Sequence, residues 1–308
     1  MPQATATTTA MPAPDADRPL AAAGSILAAM AIIGFIDQFV QLLQDRSSVW
    51  TFFVVRAAMM AALAGAFCAV ARRRLTVRRW RGVVARSAAM SVALVIYFGS
   101  LGFMSVAQAA AGLFTAPIWI MLMSAGLFGL RIGPVRVAAA LVGFAGVVLV
   151  LPPDPATLGW ASFVPVLAGA FYGLGAIATR EWCPGEGALE LSLASFAGQT
   201  AWSLLAIAVL AATGGGDDFV TRGWIAPDAT VLWVCALQAV GSLIAVTLLT
   251  RGYQLAPASV ASIFEYSVLG FAALFAWAVW GEATGPLGLL GLALIAGAGA
   301  VIALRGRT

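Results

Sequence analysis

The sequence predicts an all-α integral membrane protein, with ten transmembrane helices in two inverted-topology five-helix repeats. Three observations carry this. Of 308 residues, 62% are hydrophobic and only 10% charged, with a mean hydropathy of +0.97, whereas an ordinary soluble domain carries about 25% charged residues. A water-soluble globule of this size could not bury so much apolar surface. The apolar residues also fall in runs of roughly 18–25, enough to cross about 30 Å of hydrocarbon at about 1.5 Å per residue. Finally, the second half of the chain repeats the landmarks of the first in the same order.

Taken in order, residues 1–20 are rich in Thr, Ala and Pro and read as a disordered cytoplasmic tail. Asp15, Asp17 and a single Arg18 are not the basic start of a signal peptide. The first repeat, 21–152, holds spans at about 22–44, 49–71, 83–102, 105–129 and 134–151. The second, 153–308, holds spans at about 158–179, 190–212, 229–250, 258–281 and 285–304. None alternates apolar and polar residues as a barrel strand would. Gly133-Pro134 and Gly285-Pro286 start helices, where the missing proline N–H costs nothing, and Pro152-Pro153 stops one. The stretch 213–230, with three glycines followed by Asp217-Asp218, is the longest loop. Pro117 beside Trp119 in mid-span predicts a kink, either tolerated or opening carbonyls to a cavity.

Arginine placement sets the orientation. With the N-terminus inside, the internal segments carry Arg18, Arg72, Arg73, Arg74, Arg78, Arg79, Arg81, Arg131, Arg136, Arg180, Arg251, Arg305 and Arg307. The external loops carry only Arg46 and Arg222, while Arg56 and Arg86 lie within spans. This asymmetry places both termini in the cytoplasm. It also accounts for the net charge of +4: the 72–81 cluster faces anionic lipid, and no nucleic-acid partner is expected. Trp50, Trp80, Trp160, Trp224 and Trp280 sit near span ends as interface anchors.

Absent residue types exclude several chemistries. All 17 basic residues are Arg, and the chain has no Lys, His or Asn. A Walker A lysine, a Schiff base, a Ser-His-Asp triad and an HExxH zinc site are therefore impossible. Cys68, Cys183 and Cys235 are too scattered for a disulfide framework or a metal cluster, and neither a cofactor nor a metal is expected.

The repeat is specific. Met104-Ser105-Val106-Ala107 matches Ala258-Ser259-Val260-Ala261, and Phe128-Gly129-Leu130-Arg131 matches Trp280-Gly281-Glu282-Ala283. The Gly-Pro pairs follow, then Gly/Ala-rich helices around Gly143–Gly146 and Gly297–Gly299. The offset drifts only from 154 to 152. Five spans is an odd number, so the second half lies upside down relative to the first, as in many secondary transporters. Two sets of residues resemble the ends of two EamA domains. The first is Phe114-Thr115-Ala116-Pro117, Gly129-Leu130-Arg131 and Val142–Val147; the second is Tyr253–Ser259, Phe264-Glu265-Tyr266-Ser267 and Gly281-Glu282. Over about 25–304 the chain is similar to the EamA-type drug/metabolite transporter superfamily. That resemblance implies ten helices in two inverted halves, and substrates among amino acids, nucleoside-like metabolites, vitamins and drugs. The family's usual Gly-Glu-Arg is Gly129-Leu130-Arg131 here, so the first-half acid is missing and only Glu282 stands in the second half.

Ionisable groups inside spans are functional candidates, because burying them costs several kcal/mol. Asp37 and Arg56 each lie about seven residues from the outer ends of spans 1 and 2. Joined by a short loop, these spans should be neighbours and the two charges should pair. Such a pair either clamps two helices or opens for a substrate charge or a proton. Glu265, about seven residues into span 9 from the inside, lacks that partner and is a candidate proton carrier, a contact for a cationic substrate, or a neutral structural acid. Further pathway candidates at plausible depth are Gln38, Gln41, Tyr97, Gln108, Trp119, Tyr172, Gln199, Gln238 and Tyr266, each of which could equally be interhelical glue. Gly143, Gly146, Gly291 and Gly297 give spans 5 and 10 small-residue faces for close packing or for a homodimer.

These features favour a secondary transporter over an enzyme. It would carry a small organic metabolite by alternating access in a bacterial inner membrane, with proton coupling through Glu265 or Asp37 and ion-free exchange both open. The alternative is a membrane-embedded enzyme acting on lipid or peptide, which needs catalytic groups within reach of one another; here the in-span acids are far apart. The orientation is testable by reporter fusion. Green fluorescent protein at the C-terminus should fluoresce, and alkaline phosphatase joined after Gly214 should be active; the reverse pattern would invert the topology.

Overall fold

The computed structural model describes residues 18–101, 103–151 and 159–305. The tail through residue 17, the Pro152-Pro153 stop with the boundary between the halves, and Arg307 lie outside the described residues. The described residues form helices joined by turns and loops, the longest between Thr213 and Ala229. The first half holds α1 (Pro19–Ile36), α2 (Val49–Val70), α3 (Trp80–Ser100), α4 (Val106–Leu113), α5 (Ala116–Gly126) and α6 (Pro134–Val150). The second holds α7 (Val164–Glu181), α8 (Ala188–Thr213), α9 (Ala229–Leu255), α10 (Ala258–Glu265), α11 (Ser267–Trp280) and α12 (Pro286–Arg305). Among the described residues, nine helical stretches are long and apolar enough to span a membrane, and α6 is a shorter apolar helix of 17 residues. Each of the ten expected spans has its counterpart, so the chain is a multi-pass membrane protein. Its ends differ by one feature: α1 already begins at Pro19, inside the expected tail, because proline suits the first helical turn and the Arg18 N–H is held by the Leu255 carbonyl at 2.9 Å.

Two spans are broken. Span 4 is α4 plus α5, interrupted at Phe114 and Thr115 just before Pro117, where proline removes an N–H from the ladder. Span 9 is α10 plus α11, interrupted at Tyr266, with no proline to announce it. The offset of 152 relates these interruptions, and they meet in space: Tyr266 is fully buried and its hydroxyl donates to the Phe114 carbonyl at 3.2 Å. A third irregularity follows α1, which tightens into a 3-10 segment over Asp37–Leu43.

The principal packing runs between the halves. Within this bundle α6 lies on α12, α3 on α7, and α1 on α9 and α11. Small residues allow it, as expected where the lipid is as apolar as the helix faces and association relies on close contact. A Cβ at Gly146 would come within 2.6 Å of the Gly291 carbonyl oxygen, and one at Gly291 within 2.5 Å of the Gly146 carbonyl oxygen. Gly143 takes the Tyr266 ring in the same way. Gly143, Gly146 and Gly291 of spans 5 and 10 are thus used for close packing inside one chain. Gly297 is the exception, with open space where its Cβ would be.

The loops tie the ends. At the arginine-poor end, Arg46 pairs with Asp228 at 3.1 Å and the Trp50 indole N–H reaches the Val220 carbonyl at 2.6 Å. Asp228 also caps α9 by accepting from the Val231 N–H at 2.8 Å. That bond, and then Arg46, hold its carboxyl below the usual carboxylate range. The stabilisation is therefore full above about pH 4 and is lost as pH falls through the depressed value. At the arginine-rich end, Arg73 pairs with the buried Glu190 at 2.9 Å, and the Glu186 carboxylate accepts from the backbone N–H groups of Arg78 and Arg79. Replacing Gly146 with Val should cost about 1–3 kcal/mol by overpacking, while Gly297→Val should stay within about 0.5 kcal/mol. Thermal unfolding of the two variants in detergent should separate them, and equal losses would contradict the packing described.

Candidate functional site

Two polar sites lie inside the bundle. The first is toward the arginine-poor end. Its acid, Asp37, opens the 3-10 segment that follows α1 and is exposed, although α1 packs against α9 and α11. The Gln238 side-chain amide donates both to the Asp37 carboxylate at 3.2 Å and to the Ile36 carbonyl at 2.9 Å, and Gln238 accepts from the Ser242 hydroxyl at 3.2 Å. This glutamine satisfies a carbonyl freed where the α-helix ends and at the same time fixes the acid.

Arg56 projects from α2. One of its terminal nitrogens donates to the Gln199 side-chain amide oxygen on α8 at 2.8 Å. Its guanidinium carbon lies 4.8 Å from the centroid of Phe52, 5.0 Å from that of Phe53 and 5.5 Å from that of Phe196. Ring faces stabilise a cation whose water has been removed. Its Nε is buried with no hydrogen-bond partner among the described residues.

Asp37 and Arg56 form no ion pair, contrary to expectation. The reason is topological: α1 and α2 are consecutive but barely touch, because α9 packs against both. Gln238 on α9 takes the acid, Gln199 on α8 takes the base, and the two charges act on one another only across the gap. Tyr97, half-buried on α3, lies in the field of Asp37 and meets Phe98 edge-on at 4.9 Å.

The second site surrounds Glu265 at the end of α10, one residue before the break at Tyr266. Its carboxylate is not orphaned. The Tyr172 hydroxyl on α7 donates to one oxygen at 2.6 Å, and the Tyr253 hydroxyl on α9 donates to the other. Among the described residues no arginine lies within salt-bridge distance of it. An offset of 152 pairs Glu265 with Leu113, so only one half supplies an acid at its break.

Several other candidates make contacts that join or cap helices. Gln38 donates to the Gly34 and Ala272 carbonyls at 2.9 and 3.2 Å, joining α1 to α11. Gln41 is exposed and donates to the Gln38 carbonyl. Gln108 closes a capping box with Ser105 at the start of α4. Trp119 is half-buried on α5, and Tyr266 pins the two breaks together. Glu282 is exposed in the loop after α11 and lies in neither site.

Sequence reasoning passed over Arg86 on α3. It is 3% exposed, yet it donates to the hydroxyls of Thr179, Ser195 and Thr250 and to the Leu191 carbonyl. One cation thus gathers α7, α8 and α9 without a carboxylate. Tyr253, the second tyrosine on Glu265, was seen only as part of a family motif. Its spacing of 12 residues from Glu265 across a helix boundary offers no local signal.

Comparison with known proteins agrees with this architecture. Residues 20–151 match a family described as the EamA-like transporter family. The chain is 26% identical over 216 residues to a riboflavin transporter of Rhizobium johnstonii, covering 70% of this chain and 67% of that protein. It is 26% identical over 215 residues to an uncharacterized transporter of Helicobacter pylori, covering 69% and 70%. One solved crystal structure, 19% identical, superposes over 94% of this chain and 98% of its own with a TM-score of 0.76, so the fold is shared. The matched family and both relatives are described as transporters.

The Arg86 clamp can be tested by a double-mutant cycle. Ser195→Ala should cost about 1–3 kcal/mol in the native chain by taking one acceptor from a buried cation, and much less once Arg86 is Met. Equal losses in both backgrounds, read by unfolding in detergent, would mean that the hydroxyl does not serve the guanidinium.

Proposed function

We propose that this EamA-like chain carries a small organic solute by alternating access, with its two five-helix halves, 21–152 and 153–308, rocking about the contact between Tyr266 and Phe114. One observation carries the reading. Two spans from opposite halves break at equivalent positions and touch there, with the acid Glu265 beside the break. Discontinuous helices meeting at a pseudo-twofold axis are where transporters build midplane sites.

The two polar sites divide the work. Arg56, with its Nε unpartnered and its plane among three rings, suits a flat or anionic part of the solute. Asp37, exposed and held by one glutamine, takes a complementary donor. Glu265, between two tyrosines and without a cation, is the proton site. Amino acids, nucleoside-like compounds, vitamins and drugs are the classes to assay, and the similarity to a riboflavin transporter puts riboflavin first. The arginine-rich end faces the cytoplasm of a bacterial cell with both termini inside, and the protein resides in the inner membrane.

Purified protein in liposomes loaded with a metabolite extract, followed by mass spectrometry, tests this directly. Selective efflux of one chemical class, abolished in Arg56→Gln and stripped of its pH dependence in Glu265→Gln, is the expected result. If well-folded wild-type protein released nothing with or without an imposed proton gradient, the carrier reading would fail. An unaltered pH profile in Glu265→Gln would remove that residue from the proton path.

A further inference from the structure

At the arginine-rich end, the two halves enclose a cavity of about 190 Å³ that neither polar site uses. One wall comes from the turn between α5 and α6, with Leu130 and Arg131, and from Arg136 on α6. The facing wall comes from Arg180 and Glu181 at the end of α7 and from the Pro257–Ser259 start of α10. Among the described residues, three arginines line it together with one acid, Glu181. Leu130 stands where the repeat offset of 152 puts Glu282 in the other half, so this wall lacks the acid that its counterpart carries.

The other groups present favour an oxyanion. Arg136 donates to the Ser259 hydroxyl at 3.3 Å, linking the halves across the cavity mouth. The first turn of α10, whose leading N–H groups find no acceptor within the helix, begins in the wall. Guanidiniums bind phosphate through paired, charge-assisted hydrogen bonds, which are stronger than neutral ones. The cavity holds a group several times the size of a water molecule. From its floor, α10 rises through about seven residues, or roughly 10 Å, to Glu265.

We infer that this cavity is a phosphate-binding site: it takes a phosphate monoester or inorganic phosphate between Arg131, Arg136 and Arg180, and the bound anion holds the two halves together at this end. The phosphate comes either from a soluble phosphorylated compound or from the headgroup of an anionic lipid. The site stands apart from the transport reading, since binding is measured without flux.

The test is calorimetric titration of full-length protein, purified in a neutral maltoside detergent, with inorganic phosphate at low salt. A second arm measures the thermal midpoint in nanodiscs of phosphatidylcholine with and without phosphatidic acid. The variants are Arg136→Gln and Ala258→Asp; the second adds a repelling charge and removes no arginine. Both are used only if they elute as the wild type does on gel filtration. Saturable phosphate binding, weakened about tenfold or more in each variant, is expected if the source is soluble. A phosphatidic acid stabilisation that both variants lose identifies the lipid headgroup. Absence of saturable phosphate binding together with no phosphatidic acid effect overturns the proposal, and so does binding of equal strength in wild type and variants.

Discussion

Everything in this fold is subordinate to one requirement: in hydrocarbon, each backbone group released from a helix must find a partner within the protein. The chain breaks two of its spans and then closes the breaks on each other. The Tyr266 hydroxyl supplies the Phe114 carbonyl, and Gly143 makes room for the tyrosine ring. The same requirement explains Gln238 and Gln38, whose amides take the Ile36 and Gly34 carbonyls where α1 tightens. Side chains that the sequence offers as pathway candidates also repair the backbone ladder here.

Polar groups left over from those repairs define the two sites. Arg56, Asp37 and Glu265 sit on three different elements, and each is held by neutral partners rather than by an opposite charge. Neutral partners leave net charge, or the capacity to change it, inside the bundle. A tight ion pair would have cancelled it, and a solute or a proton would first have to break that pair.

The spans were legible because length and apolarity alone define them; the number and order of the ten survive in the structure. The break at Phe114 was half legible through Pro117, whereas that at Tyr266 shows only once the two halves are compared. Neighbour relations were not legible. In a soluble helix the apolar stripe points to the core, but here lipid and protein interior are equally apolar, so no stripe identified α9 as the partner of both α1 and α2. The expected pairing of Asp37 with Arg56 failed for that reason. Arg86 was passed over because its partners are three hydroxyls and a carbonyl, on residues that leave no charge pattern to read.

The pairing of α1 with α9, α3 with α7 and α6 with α12 bears on biogenesis. When the first five spans leave the ribosome, their main partners have not been made. Each apolar helix can rest in lipid on its own, so nothing forces early collapse. The glycines at the α6–α12 contact, however, stay uncovered until the last helix is threaded. Assembly is therefore a late, whole-chain event. The half that reads as a domain in the sequence finds its main packing partners only in the other half.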